Sequence, residues 1–176
     1  IGVPHDTVPR MTLTLICMRR AKSDWDDPLQ EAIDRPLSER GRMAAPLIGK
    51  WLAENSYIPD VALVSSAART VETWELMSKY LPNVTAEFLP GLYLASPDVM
   101  RRALLNRKAR SILLIAHNPG MADLTDKLVA ERPDHPKFRT YPTAATAVIE
   151  FDTDDWANLG WRQGKALNFT VPRDLA

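Results

Sequence analysis

The chain has 176 residues, of which 45% are hydrophobic and 25% charged, and its 22 Lys and Arg balance its 22 Asp and Glu. This composition is typical of a globular domain and excludes collagen-like, low-complexity and largely disordered chains. The neutral balance also excludes a global basic field, so we expect neither nucleic acid nor a membrane as a partner.

The cysteine content and the apolar runs indicate a cytoplasmic protein. Cys17 is the only cysteine, which excludes a disulfide within the chain and a zinc site built on several cysteines. No apolar run approaches the roughly 18–20 residues that span a bilayer. Residues 1–10 lack the apolar core of a signal peptide and are interpreted as a poorly ordered N-terminal extension. Residues 11–176 are interpreted as a single domain.

The predicted elements alternate between strands and helices along the chain. Short apolar runs bounded by turn residues predict strands at 12–18, 61–65, 86–89, 111–116, 143–151 and 164–171. Apolar residues at helical spacing predict helices at 38–55, 97–106 and 121–129, a helix that forms out of the segment 66–70 and runs to about 80, and a short helix or turn at 154–160. Pro46 lies inside the first of these helices, so we expect that helix to start late or to be kinked.

This alternation favours an α/β fold, a three-layer α/β/α sandwich around a mainly parallel central sheet. In such folds ligands bind beyond the carboxyl ends of the strands. Three predicted strands end in polar or cationic residues, which are Arg19 and Arg20, Ser65 followed by Arg69, and His117. We therefore expect these side chains to form a local cationic cluster suited to a phosphate dianion.

Four segments in chain order carry a family pattern. They read Arg-Arg-Ala-Lys-Ser at 19–23, Arg-Pro-Leu-Ser-Glu-Arg-Gly at 35–41, Ser-Ser-Ala-Ala-Arg-Thr-Val-Glu-Thr at 65–73 and Ala-His-Asn-Pro-Gly at 116–120. Pro-Thr-Ala-Ala at 142–145 and Val-Pro-Arg at 171–173 add to them. From Met11 to about Asp174 the chain resembles the histidine phosphatase superfamily, which is phosphoglycerate mutase-like, and within it the SixA-type phosphohistidine phosphatases.

The resemblance implies a phosphatase that needs no metal and no cofactor and that works through a phosphohistidine intermediate. It implies that Arg19, Arg69 and His117 cradle the phosphoryl group, with Ser23 as a further hydrogen-bond donor. The position of the family's nucleophilic histidine holds Arg20 instead. Arginine stays protonated and has no acceptor lone pair, so it cannot attack phosphorus. We therefore expect severely reduced turnover with phosphate binding retained, and Arg20 as an additional anion-binding cation.

Several alternatives stay open at this point. His117 could serve as the nucleophile, or Arg20 could be a variant residue in an otherwise active lineage. Asp98 and Glu87 are the candidates by position for a general acid. The expected partners are a protein carrying phosphohistidine or a small phosphorylated substrate, with a phosphate or sulfate anion in the pocket. The alternative function is a pseudophosphatase that holds phosphorylated ligands without hydrolysing them. A nucleotide-binding domain is disfavoured because neither glycine-rich phosphate motif occurs.

Overall fold

The computed structural model describes residues 11–176, so the predicted extension at 1–10 lies outside the described residues. Six strands form one sheet. They are β1 (Leu13–Arg19), β2 (Val61–Ser65), β3 (Thr85–Leu89), β4 (Ser111–Ala116), β5 (Thr146–Phe151) and β6 (Lys165–Thr170). Their order across the sheet is β3-β2-β4-β1-β5-β6.

The sheet is mainly parallel, as the strand–helix alternation predicts. β3, β2, β4 and β1 pair with one another in parallel, whereas β5 pairs antiparallel with both β1 and β6. Among the described strands, β5 alone therefore runs in the reverse direction. The carboxyl ends of β1, β2 and β4 consequently share one edge of the sheet.

Within residues 11–176, five α-helices flank the sheet. They are α1 (Glu39–Glu54), α2 (Ala68–Met77), α3 (Pro97–Leu104), α4 (Gly120–Leu128) and α5 (Pro172–Leu175). Short 3-10 turns lie at Ala32–Asp34, Ser78–Tyr80, Pro90–Leu92 and Trp156–Asn158. No helix within residues 11–176 is long and apolar enough to cross a membrane.

The core has two halves, one on each face of the sheet, which confirms the three-layer architecture. Alternate residues of β1 serve the two faces, since Leu15 packs with the α3 and α4 side and Ile16 packs with the α1 and α2 side. Ile48 of α1 and Trp74 of α2 fill one half, and Leu124 of α4 belongs to the other. Burial on both faces explains why the central strands are short, continuous apolar runs.

The late start expected for the first helix is wrong. α1 begins at Glu39, and the Ser38 hydroxyl accepts a hydrogen bond from the Gly41 amide at 3.1 Å. Pro46 lies within the helix. The cap and the buried face of α1 outweigh the hydrogen bond that proline removes.

Candidate functional site

Three strand ends and two helix starts meet at the candidate site. Arg19 is the last residue of β1, Ser65 is the last of β2, and His117 directly follows β4. α2 begins three residues after β2, and α4 begins four residues after β4. Both helices therefore direct the positive end of their dipole to the edge of the sheet that carries these side chains, which favours an anion there.

His117 is buried, with 2% of its surface exposed. Its Nε2 lies 2.7 Å from the Ser65 hydroxyl, and that hydroxyl accepts a hydrogen bond from the Ala67 amide at 3.4 Å. The hydroxyl hydrogen of Ser65 is thus available to donate to Nε2, and the ring proton then lies on Nδ1. Nδ1 is buried and has no hydrogen-bond partner among the described residues. The edge of the ring also packs against Tyr93, with 5.3 Å between centroids.

Arg69 lies in the first turn of α2 and is 5% exposed. Its Nη1 donates to the Ala32 carbonyl at 2.8 Å, and its guanidinium carbon lies 5.6 Å from the centre of the Tyr93 ring. Its Nε is buried without a partner among the described residues. Tyr93 therefore contacts both Arg69 and His117.

Arg19 and Arg20 are half-buried, and each makes a single side-chain hydrogen bond to a carbonyl. Arg19 Nη1 donates to Tyr141 at 3.2 Å, and Arg20 Nη1 donates to Ala21 at 3.4 Å. The Nε atoms of both arginines are buried without partners among the described residues. Their backbone is fixed by Ala144, whose amide lies 3.0 Å from the Arg19 carbonyl and 3.1 Å from the Arg20 carbonyl.

The loop that fixes this backbone holds two strained residues. Tyr141 and Ala144 have φ values of 51° and 63°, in the left-handed region that disfavours residues other than glycine. Such conformations cost on the order of 1–3 kcal/mol each and persist where surrounding contacts over-determine them. Here the contacts are those of the Tyr141 carbonyl and the Ala144 amide with the arginine segment.

The four side chains influence one another electrostatically. Burial, followed by the charges of Arg69, Arg20 and Arg19, lowers the pKa of His117 to about 3. Burial, followed by the charges of Arg19 and Arg69, lowers the pKa of Arg20 to about 10. Burial and the charge of Arg69 also lower the pKa of Arg19. No carboxylate of the described residues forms an ion pair with any of these arginines. A neutral imidazole therefore lies beside three guanidinium groups that no described carboxylate neutralises.

The loop after β1 also contains Ser23, which is buried. Its hydroxyl accepts a hydrogen bond from the Trp25 indole at 2.8 Å, and Arg35 stacks on the Trp25 ring at 4.0 Å. The Ser23 hydroxyl hydrogen remains available to donate. A contact between Ser23 and phosphate stays a prediction.

Hydrogen bonds connect the segments that carry the family pattern. The Ala21 amide donates to the Thr73 hydroxyl at 3.1 Å, and that hydroxyl donates to the Arg69 carbonyl at 2.6 Å. The Leu37 amide donates to the Glu72 carboxylate at 2.7 Å. Thr73 therefore joins the backbone that carries Arg20 to the backbone that carries Arg69.

The two acid candidates lie on elements other than those that carry the cluster. Glu87 on β3 is bound by Arg107, and Asp98 is in the first turn of α3. Neither carboxylate contributes to the pKa shifts of Arg19, Arg20 or His117. Residues 11–176 contain no group of three or more His, Cys, Asp or Glu side chains placed to hold a metal ion.

The structure brings Arg19, Arg20, Arg69 and His117 together at the carboxyl ends of the parallel strands, as expected. The sequence reasoning missed Tyr93 and the role of Ser65 as the hydrogen-bond partner of the His117 ring. Ser65 was detectable as a polar strand end, whereas Tyr93 carries no local signal because it reaches the site through the fold.

Comparisons with known proteins agree with this geometry. The family profile of the histidine phosphatase superfamily (branch 1) matches residues 15–93. An uncharacterized protein of Mycobacterium tuberculosis is 30% identical over 167 residues, which cover 89% of this chain and 100% of that protein.

Solved structures show the same fold. A structure assigned to the phosphohistidine phosphatase SixA from Nakamurella multipartitia superposes with a TM-score of 0.80 at 23% identity, covering 94% of this chain and 99% of that chain. The protein histidine phosphatase SixA complexed with tungstate superposes with a TM-score of 0.73 at 25% identity, covering 93% and 100% of the two chains.

Proposed function

The chain belongs to the histidine phosphatase superfamily, in its SixA-type branch, and from this premise we propose that its site binds the phosphoryl group of phosphorylated ligands with severely reduced turnover. The observation that carries the proposal is the cluster of three guanidinium groups and His117 without a carboxylate partner among the described residues. Guanidinium groups match phosphate oxygens in charge and geometry. Tungstate, a phosphate-like anion, is bound by a related SixA structure, which supports the same use of this pocket.

Arg20 favours anion binding but cannot serve as the nucleophile. Its pKa of about 10 keeps the guanidinium protonated at neutral pH. A protonated guanidinium has no lone pair with which to attack phosphorus, so it cannot form the covalent intermediate that defines nucleophilic catalysis. It does add a positive charge beside Arg19 and Arg69, which strengthens the attraction for a dianion.

His117 is assigned to phosphoryl binding. In the tautomer in which Nε2 accepts from the Ser65 hydroxyl, Nδ1 carries the proton and can donate to an anion oxygen. Nucleophilic attack by His117 would require the opposite tautomer, with Nε2 donating to Ser65 and a lone pair on Nδ1. Any residual turnover by this route would disappear in His117→Ala.

A phosphohistidine on a protein fits this site better than a sugar phosphate. An alkyl ester needs a proton donated to its leaving oxygen, whereas a phosphoramidate depends less on an added acid. Neither Asp98 nor Glu87 forms an ion pair with the arginines of the cluster. A substrate that needs no strong general acid is therefore favoured for whatever turnover remains, whereas anion binding alone does not distinguish the two substrate classes, and the cytoplasm is the expected location.

A binding module without catalysis is the second candidate, and the same substitution favours it. A pseudophosphatase would keep a phosphorylated partner bound instead of releasing phosphate. The two candidates differ only in residual turnover.

The test measures binding and turnover on the same preparation. Isothermal titration with inorganic phosphate and with tungstate gives the anion affinity, and Arg69→Gln provides the site-directed control. Hydrolysis of p-nitrophenyl phosphate and of a phosphohistidine peptide, without added metal, gives the turnover. We expect anion binding that Arg69→Gln weakens, together with turnover near background. Failure to bind either anion would overturn the proposal, and rapid hydrolysis by the unaltered chain would refute the role of Arg20.

A further inference from the structure

A groove of about 1110 Å³ adjoins the cationic cluster. Arg19 and Arg20 line one part of it, while Arg69 and His117 do not line it. The groove runs between α1, the loop at 135–143 and the C-terminal segment at 171–176. It therefore overlaps the candidate site at Arg19, Arg20 and Ser23 and extends beyond it along α1 and the C-terminal segment.

One wall of the groove is a stripe on α1. The lining residues Arg40, Met43, Ala44 and Leu47 are spaced at i, i+3, i+4 and i+7 along the helix. Residues at this spacing share one face of a helix, and two turns extend over roughly 10 Å. The opposite face of α1 is buried in the core through residues such as Ile48. Met43 is 68% exposed, whereas Ala44 and Leu47 are half-buried, so the stripe presents partly uncovered apolar surface to the groove.

The facing wall is built from the C-terminal segment and a proline-rich loop. Pro136, Pro142 and Pro172 line it. His135 donates from Nε2 to Asp174 at 2.8 Å, since its Nδ1 accepts from the Lys137 amide at 3.0 Å. This pair fastens the loop to α5, so the groove has a fixed second wall.

The charge of the groove is strongly one-sided. Its lining includes six cationic side chains, which are Arg19, Arg20, Lys22, Arg40, Lys137 and Arg173. Asp174 is the one carboxylate side chain that lines it, and His135 already engages that carboxylate. The chain as a whole has a net charge of zero, so this is a local concentration of positive charge. A ligand that complements the groove must carry negative charge beside its apolar groups, and in a protein segment that charge comes from carboxylates.

We propose that this groove docks an acidic, amphipathic segment of a protein partner, whose phosphorylated residue then reaches the arginine cluster past Arg20. The proposal deepens the proposed function and rests on it for the phosphoryl contact. Small-molecule sites commonly occupy about 300–1,000 Å³, and the groove, together with the part of the phosphoryl site it overlaps, exceeds that range. Apolar side chains of the segment would cover Met43 and Leu47, and its carboxylates would face the basic rim.

Three synthetic peptides test the proposal by fluorescence anisotropy. The first is a short amphipathic peptide of Leu and Glu with one phosphoserine, the second lacks the phosphate, and the third replaces each Glu of the second by Lys. We expect the unphosphorylated acidic peptide to bind and the lysine peptide not to bind. The phosphorylated peptide should bind more tightly than the unphosphorylated one, because it also occupies the arginine cluster.

Met43→Glu places a negative charge in the groove without disturbing the core. We expect it to weaken binding of the unphosphorylated acidic peptide by about tenfold or more through like-charge repulsion, while inorganic phosphate binds as before. Arg40→Glu, which is also exposed on the stripe, is a second variant with the same expected effect. Leu29→Glu is the matched control, because Leu29 is 91% exposed and outside the groove. It should leave peptide binding unchanged.

Other outcomes separate the two proposals. Equal peptide affinities for Met43→Glu and Leu29→Glu would overturn docking in the groove, as would binding of the lysine peptide. Peptide binding that Met43→Glu abolishes, without any binding of inorganic phosphate, would support the groove and overturn the proposed function. A dimer in sedimentation equilibrium that Met43→Glu dissociates, with no peptide binding, would show that a second copy covers the groove and would overturn the peptide proposal.

Discussion

Gly41→Ala perturbs the support of the arginine loop from outside the site. Gly41 is buried at the start of α1, and a Cβ atom there would lie 2.2 Å from the Lys22 carbonyl oxygen. That distance is about 1.2 Å inside the 3.4 Å at which ordinary van der Waals contact begins. The atom that must move is backbone, and it belongs to the loop that also carries Arg20 and Ser23.

The expected change in the free energy of unfolding follows from two opposing effects of Gly41→Ala. Forcing extra atoms into a packed interior costs about 1–3 kcal/mol, whereas alanine gains about 1 kcal/mol over glycine inside a helix. We therefore expect a net loss of up to about 2 kcal/mol in the free energy of unfolding, near the upper end because the clash is with backbone. We also expect weaker phosphate binding, because the displaced loop moves the guanidinium group of Arg20.

Two other glycines supply controls. Gly49→Ala on the same helix would place Cβ 2.9 Å from the Met77 carbonyl oxygen, away from the arginine loop, and Gly91→Ala would meet nothing within 4 Å. Urea denaturation and phosphate titration should show that Gly49→Ala loses stability alone and Gly91→Ala loses neither property. Unchanged phosphate affinity in destabilised Gly41→Ala would refute the coupling between α1 and the loop.

Three further outcomes can be measured directly. Arg69→Gln should lower phosphate affinity by about 10- to 100-fold, since a hydrogen bond to a charged group contributes about 1.5–3 kcal/mol. Arg101→Gln, which removes a cation stacked on a distant tryptophan, should bind phosphate normally in the same titration. Tyr141→Phe should cost about 1–3 kcal/mol of stability in urea, because the Tyr141 hydroxyl donates to the buried Cys17 carbonyl at 2.5 Å. Lowering the pH from 6.5 toward 3 should destabilise the fold, because the unfolded chain binds a proton at His117 that the native chain, with a pKa of about 3, does not. The slope in urea denaturation should approach about 1.4 kcal/mol per pH unit where the difference is complete, and an unaltered slope in His117→Asn would contradict this assignment.

The predicted bounds are most accurate for buried elements whose ends are marked by turn or capping residues. β2 and β4 have the predicted bounds, because each is an apolar run that ends at a polar turn. α3 begins where Ser96 and Pro97 predict it, since the Ser96 hydroxyl caps the Val99 amide at 3.3 Å. These features depend on neighbouring residues in the sequence.

Other boundaries depend on distant partners. β1 extends one residue beyond the prediction, to Arg19, because Arg19 pairs in register with Ala116 of β4. β5 begins at Thr146 instead of residue 143, because Ala144 has a left-handed backbone and its amide contacts the Arg19 and Arg20 carbonyls. Single-sequence patterns contain no information about such pairings.

The same distinction applies to the site. Arg19, Arg20, Arg69 and His117 follow from the rule that ligands bind beyond the carboxyl ends of parallel strands. Tyr93 and the groove beside α1 do not follow from it, because they depend on how a turn after β3 and the C-terminal segment pack. The interpretation of residues 11–176 as a single domain stays a prediction. The roles of the site residues stay predictions as well.

Restoring the histidine tests the central claim most directly, namely that Arg20 disables an otherwise intact phosphatase pocket. Arg20→His should be compared with the unaltered chain in the turnover of p-nitrophenyl phosphate and of a phosphohistidine peptide, both without added metal. We expect the variant to gain turnover by orders of magnitude while the unaltered chain stays near background. High turnover in the unaltered chain, with little gain in Arg20→His, would contradict the claim and would direct the search for the nucleophile to His117.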